Sequence, residues 1–216
     1  MGRLIAVEGV DGAGKRTFAD GIEKAFHDVD RSVYRFAFPR YGQSLEAARL
    51  REALYGQVGD QPVSVYGMAA LYALDRAGVA EDLHRALGDH DIVLIDRYVS
   101  SNAAYGAARL GQGADGEFVQ WVRSLEVERL RLPLPNAQVL LRVSGDVAAD
   151  RARQRAIEEP ERARDDFETD GELQARVAAV YEELAASGWL SPWHVVDGVG
   201  DIDDTDLVTG LLQRRR

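Results

Sequence analysis

Residues 9–17 read Gly9-Val10-Asp11-Gly12-Ala13-Gly14-Lys15-Arg16-Thr17, directly after the apolar run Leu4-Ile5-Ala6-Val7. The order is strand, glycine-rich turn, helix start. Gly9, Gly12 and Gly14 let the backbone curl with no Cβ in the way. Its N–H groups then face inward as an anion cradle, and the following helix adds the positive end of its dipole. Lys15 supplies a mobile ammonium for the outer phosphates of a nucleotide. Of 26 basic residues only two are lysines, Lys15 and Lys24. A lysine here, in a chain that otherwise uses arginine, fits a need for a compact point charge rather than a planar fork. The usual loop continues Gly-Lys-Ser/Thr, whose hydroxyl meets Mg²⁺. In this chain Arg16 follows Lys15 and Thr17 comes one residue later, about 100° further round the helix. Magnesium is therefore expected on carboxylates. The plain alternative is a glycine-rich turn without a ligand.

Apolar runs resembling strands recur at 3–8, 33–38, 91–95, 137–143 and 193–196, with helical stretches between them. That alternation predicts a five-stranded parallel sheet with helices on both faces. Helices are expected at 15–28, 43–56, 62–87, 98–110 and 115–130. Another should run from about 146 into an arginine-rich stretch, and a further one over about 165–186, capped by Gly188. The acidic segment 201–206 offers N-caps for a last helix.

The run Ile92-Val93-Leu94-Ile95 ends in Asp96-Arg97-Tyr98. A carboxylate at the carboxyl end of a buried parallel strand lies where open α/β sheets bind ligands. Asp96 could position Mg²⁺ through water or hold Arg97, and Arg97 could grip a second phosphate. An inert ion pair is the alternative. Phe38-Pro39-Arg40-Tyr41 ends the second strand at the same edge, where a plain turn would serve as well.

Composition bounds the rest. A chain of 216 residues is one domain and can bury about 70% of its unfolded surface. It has no cysteine, so disulfides and thiol chemistry are excluded. No leader-like segment and no long apolar run occur, so a cytoplasmic protein without membrane contact is expected. The net charge of −10 argues against binding a nucleic-acid polymer. Arg151, Arg153, Arg155, Arg162 and Arg164 nonetheless crowd one stretch, which suits a small anionic ligand. The four histidines, 27, 84, 90 and 194, have no metal-ligand spacing.

Taken in order, the phosphate loop, Phe38-Pro39-Arg40-Tyr41, Leu74-Asp75-Arg76, Asp96-Arg97-Tyr98 with Ser101-Asn102, and the late arginine-rich segment resemble bacterial thymidylate kinases. The mycobacterial type is the nearest, down to Lys15-Arg16-Thr17. The resemblance covers about residues 3–190. It implies a P-loop NTPase-type fold and a single nucleoside-monophosphate-kinase domain over 1–216. The reaction it implies is ATP + dTMP giving ADP + dTDP, with Mg²⁺ as cofactor and a homodimer as the assembly. Gly9, Val10, Gly12, Ala13, Gly14, Lys15, Arg16 and Thr17 would hold the ATP phosphates. Asp11, Phe38, Arg40, Tyr41, Tyr72, Arg76, Arg97, Ser101, Asn102 and Tyr105 would form the dTMP site. Within it, Arg97 and Tyr41 would grip the phosphate and Tyr72 would stack on thymine. Arg76 and Asn102 would bond its edge, and Tyr105 would disfavour a ribose 2′-hydroxyl. Asp11, Asp165 and Glu168 would be the magnesium side, and Phe167 stands where some relatives carry Tyr.

Phosphoryl transfer needs two phosphates in line, charge neutralisation and exclusion of water. The expected catalytic set is Lys15, Arg97, Asp11, Arg151 and Arg155. Residues about 151–165 are expected to be an arginine-rich lid, since five arginines beside a nucleotide repel each other unless phosphates or acids neutralise them. A solvated helix face is the alternative. Arg151 and Arg155 share a face, whereas Arg153 lies off it. Two functional alternatives stay open at this point: another small nucleotide or nucleoside kinase, and a nucleotide-dependent switch. The common GTPase type is disfavoured because no Asn-Lys pair exists to read guanine.

Overall fold

The structure, a computed structural model, describes residues 1–54, 64–158, 170–199 and 204–213. Five strands are formed by the apolar runs: β1 (Arg3–Glu8), β2 (Val33–Ala37), β3 (Ile92–Asp96), β4 (Ala137–Arg142) and β5 (Trp193–Asp197). All pair in parallel, in the order β2-β3-β1-β4-β5. β1 is central, with Ile5 paired to Leu94 on one side and to Ala137 on the other. Its residues Leu4 to Val7 are fully buried, as the unbroken apolar run requires of a strand covered on both faces. The carboxyl ends of β1 and β3 meet at Val7 and Asp96, which brings the phosphate loop and Arg97 to one edge.

The helices follow the apolar spacing. In α1 (Lys15–Asp28) the inward face is Phe18, Ala19, Ile22 and Phe26. The long helix expected over 62–87 is two: α3 (Val65–Ala77) and α4 (Ala80–Asp89). They part at Gly78 and Val79, where the ladder tightens to a Val79 N–H donating to the Arg76 carbonyl. Helix α2 (Leu45–Leu54) packs on α3 through Leu50, Leu54 and Met68. Helix α5 (Val99–Arg109) is buried nearly all round, and a Cβ on Gly106 would sit 2.0 Å from the Phe118 ring. The helix expected at 115–130 is α6 (Glu117–Arg123) followed by a π-helical turn, Ser124–Arg129. Helix α7 (Gly145–Glu158) starts beside the phosphate loop. Helix α8 (Gly171–Ser187) is N-capped by Asp170 and closed by Gly188 at φ +64°, the expected cap. The last helix is α9 (Asp204–Leu212). Asp201 and Asp203, two of the acidic residues expected to cap it, and residues 159–165 of the expected lid lie outside the described residues. No described helix is long and apolar enough to cross a membrane.

Candidate active site

The turn leaving β1 holds Gly9 at φ +147°, Gly12 at +78° and Gly14 at +91°. A Cβ on Gly12 would meet the Ala148 carbonyl oxygen at 2.1 Å, so the start of α7 seats directly on the loop. Gly14 opens α1 without a side-chain cap, leaving the first-turn N–H groups to an external acceptor. Lys15 Nζ donates to the carbonyls of Gly9 (3.1 Å) and Val10 (2.8 Å). Burial, and then the nearby Arg97 charge, lower its pKa to about 8. Arg16 and Thr17 are exposed on the first turn. Arg151 reaches back to the loop, donating to the Ala13 carbonyl at 3.2 Å and to that of Gly198 at 3.1 Å. Arg153 pairs with Asp150 on the exposed side of α7, off the Arg151 face. The side chain of Arg155, together with Asp165, Phe167 and Glu168, lies outside what is described.

Asp11 is the centre of the second half of the site. Its carboxylate accepts from the Arg97 guanidinium, from the Tyr105 hydroxyl (2.5 Å) and from Gln174 Nε2 (3.2 Å). Gln174 also takes the Asp11 N–H at 3.3 Å, so one α8 side chain grips residue 11 twice. Burial would raise the Asp11 pKa, but the Arg97 and Lys15 charges and the two side-chain donors outweigh it and hold it low. Arg97 shows the converse: burial opposes its charge, and Asp11 more than offsets that. Its Nη1 also donates to the Gly9 carbonyl at 3.3 Å, and its guanidinium carbon lies 5.4 Å from the Tyr105 ring centre. Arg97 sits at φ +63°, an uncommon backbone for a residue with a Cβ.

A third group lies on α3, α5 and the π-helical turn. Arg76 is buried and makes a two-pronged ion pair with Glu126, at 2.6 and 2.7 Å. Asn102 Nδ2 donates to the same Glu126 carboxylate at 2.7 Å and to the Ala69 carbonyl at 3.0 Å. Tyr72, one turn before Arg76, packs on the Leu50, Leu54 and Met68 cluster. Arg40 is tied to buried Asp75 through its N–H (2.9 Å) and Nε (3.1 Å), and Ser44 donates to that carboxylate at 2.6 Å. Gly78 leaves room for this, since a Cβ there would stand 3.2 Å from Arg40 Nη2. Phe38 is buried against Tyr98, whereas Tyr41 is 42% exposed at the rim.

The described motifs thus gather at the carboxyl edge of a parallel sheet. A family model described as thymidylate kinase matches residues 7–202. The chain belongs to the thymidylate kinase family. The thymidylate kinase of Mycobacterium tuberculosis (strain CDC 1551 / Oshkosh) is 52% identical over 208 residues, covering 96% of each chain. That of Leifsonia xyli subsp. xyli is 35% identical over 191 residues, 86% of this chain and 82% of its own. The probable thymidylate kinase of Thermococcus gammatolerans is 31% identical over 222 residues, 99% and 97%.

In this family member several polar residues at the site carry no motif of their own. Glu8, fully buried at the end of β1, accepts from Ser101 Oγ (2.6 Å), the Tyr98 N–H (3.0 Å) and the Tyr181 hydroxyl (3.2 Å). Burial raises its pKa despite these donors. Gln174 acts likewise on Asp11 and Glu126 on Arg76 with Asn102, while Asp75, within the Leu74-Asp75-Arg76 motif, holds Arg40. A signal existed for Glu126: it lies seven residues after Val119 and four after Val122, on the apolar face of its helix. Asp96 is the remaining acid at this edge. Its Oδ1 is buried and, among the described residues, accepts no hydrogen bond. No cluster of three or more metal-ligand side chains occurs among the described residues.

Proposed function

We propose that the chain transfers the γ-phosphoryl group of ATP to the phosphate of dTMP, giving ADP and dTDP. The bond between the γ-phosphorus and the oxygen bridging to the β-phosphate breaks, and one forms to an acceptor phosphate oxygen. The observation that carries this reading is the position of Arg97. Its guanidinium touches both the Gly9 carbonyl of the donor loop and the Asp11 carboxylate of the neighbouring group. A phosphate held by Arg97 therefore lies beside one held under Lys15, as phosphoryl transfer requires.

The residues divide the work. The loop from Gly9 to Gly14 and the first-turn amides, with Lys15, Arg16 and Thr17, hold the donor phosphates. Arg151, already braced on the loop, and Arg155 neutralise charge as it spreads onto the transferring oxygens. Arg97, Arg40 and Tyr41 hold the acceptor phosphate, Asp11 and Tyr105 meet its sugar, and Ser101 seats Arg97. Phe38 and Tyr72 cover the thymine ring while Arg76 and Asn102 meet its edge. The chain works as one kinase domain over 1–216, with about 151–165 closing as a lid that keeps water from the phosphoryl group.

Magnesium, when bound with ATP, draws charge from the phosphate oxygens. Asp96 fits that ion through its unpartnered buried oxygen, with Asp165 and Glu168 completing the set. The two oxygens of Asp11 are taken by Arg97, Tyr105 and Gln174, which favours its acceptor role over the metal role. We also read the working form as a cytoplasmic homodimer. Exposed Tyr66 and Leu74 on α3, with Tyr66 against Trp121, support an apolar face there. Helix α5, by contrast, is buried within the chain. A monomer by sedimentation would overturn the assembly.

ADP release with ATP and Mg²⁺ against dTMP, dUMP, dCMP, dGMP, UMP and thymidine tests the reaction. Turnover led by dTMP, with dUMP second and thymidine silent, is expected. Preference for another acceptor would overturn the base-edge roles, and no acceptor-stimulated turnover would overturn the kinase reading.

A further inference from the structure

We infer that Glu126, which lies behind the base-edge pair and touches no substrate in the reading above, is the residue that fixes which pyrimidine that pair accepts. The inference rests on dTMP being the acceptor.

Asn102 is oriented by the groups packed against it. Its side-chain amide faces the Ala69 carbonyl at 3.0 Å and a Glu126 carboxylate oxygen at 2.7 Å. A carbonyl and an ion-paired carboxylate only accept, so the amide must turn its NH2 group to them. The orientation of Asn102 is thus dictated by chemistry, and Oδ1 is left as the group it can offer to a ligand. Arg76 has Nε and Nη2 committed to the same carboxylate. Its remaining Nη1 group can only donate. The pair therefore presents one acceptor and one donor, in an order that Glu126 sets for both residues.

Thymine and uracil carry a donor at N3 and an acceptor at O4, which matches. Cytosine carries an acceptor at N3 and a donor at N4, which opposes both groups. A site with buried polar groups rejects such an analogue strongly, because the groups it leaves unpaired are desolvated. Glu126 is fully buried, so water does not substitute for it. It also sits on the π-helical turn Ser124–Arg129, a form of helix found often at functional sites. Glu126 is then a positioning residue: it acts on the base through Arg76 and Asn102.

Glu126→Gln tests this with dTMP and dCMP as acceptors. The glutamine keeps the shape but offers an NH2 group, so only the Ala69 carbonyl still obliges Asn102 to turn its amide that way and the hold on its orientation weakens. The dTMP-to-dCMP ratio of kcat/KM is expected to fall by about tenfold, with KM for ATP unchanged. A purely structural role would lower both acceptors alike and leave the ratio where it was. That outcome, in an enzyme whose native form prefers dTMP, overturns the inference while leaving the kinase reading intact. A native enzyme without a preference for dTMP over dCMP overturns the acceptor reading and the inference with it. If the neutral variant does not fold, Glu126→Asp keeps the charge beside Arg76 but withdraws it by one methylene. It is expected to lower the same ratio by about threefold or more, and an unchanged ratio again overturns the assignment.

Discussion

At the scale of single residues, the site is a set of charges held by other charges. Lys15 shows this most directly. With protein groups alone around it, burial and Arg97 bring its pKa to about 8. Phosphate oxygens at Nζ favour the ammonium, so nucleotide binding should take up a proton once the pH passes that value. ATP affinity is expected to be level below about pH 7.5 and to fall by up to about tenfold per unit above about pH 8.5. Isothermal titration in two buffers of different ionisation enthalpy reads the proton, and no uptake at about pH 8.5 would mean that Lys15 is charged throughout. The sign for folding is opposite. Between about 8 and 10.5 the unfolded chain holds a proton that the folded one lacks, so this residue's contribution to stability rises with pH. Arg97 is bound to Asp11, and in the proposed reaction its remaining N–H groups meet the acceptor phosphate. Arg97→Ala should weaken dTMP use by roughly 2–5 kcal/mol of transition-state energy while changing ATP binding little. Equal losses in kcat/KM for both substrates would make Arg97 a structural residue.

At the scale of elements, helices are pinned onto the phosphate loop at close range. Gly12 admits the first turn of α7, Arg151 returns from α7 to the Ala13 carbonyl, and α8 reaches Asp11 through Gln174. Helix α8 follows directly on the arginine-rich stretch, so Gln174 joins that end of the chain to the acceptor side. Gln174→Ala removes both contacts with Asp11 but leaves the carboxylate its pairing with Arg97 and Tyr105. KM for dTMP is expected to rise by about three- to tenfold, with the melting temperature falling by about 4–8 °C at most, since the two part-buried polar contacts contribute about 1 kcal/mol each. Unaltered KM with lowered stability would place Gln174 in the scaffold alone. The break between α3 and α4 also serves the site. A straight helix through Gly78 carrying a side chain would crowd Arg40, whose three contacts with Asp75 keep it over the same edge.

At the scale of the whole molecule, both halves of the site hang on one sheet, so occupancy of the site should stabilise the entire fold. Ligand at a hundredfold excess over Kd adds about 2.7 kcal/mol, and a domain of this size gains about 2–4 °C per kcal/mol. ADP with dTMP is therefore expected to raise the melting temperature by about 5–10 °C or more in differential scanning fluorimetry. Lys15→Ala should abolish the share due to ADP and Arg97→Ala the share due to dTMP. A shift by either ligand that survives both substitutions would put binding elsewhere on the surface. The acidic balance of −10 sets the wider context, with the site's arginines locally paired to Asp11, Asp75 and Glu126.

Much of this was legible in the chain itself. Glycine spacing and the lysine after Gly14 announce the loop because the backbone geometry is local and only glycine adopts it freely. Five apolar runs separated by helical periods announce a parallel sheet because burial on both faces leaves no polar alternation. Arg97 was legible because it closes one of those runs. What the linear pattern does not carry is which acid each arginine meets. Asp75 is 35 residues from Arg40, Glu126 is 50 from Arg76 and Asp11 is 86 from Arg97. Such pairs come into contact only when helices pack, and an ion pair leaves no periodic trace at those separations. The π-helical turn is likewise tertiary, since local helix propensity runs through it and packing interrupts it, whereas the split at Gly78 has a local signal in the glycine itself. The sequence alone determined that the glycine-rich loop and Arg97 share this sheet edge, on which the proposal of phosphate binding rests. Packing decided how each charge there is aimed, because direction in a buried site depends on the partner behind the residue.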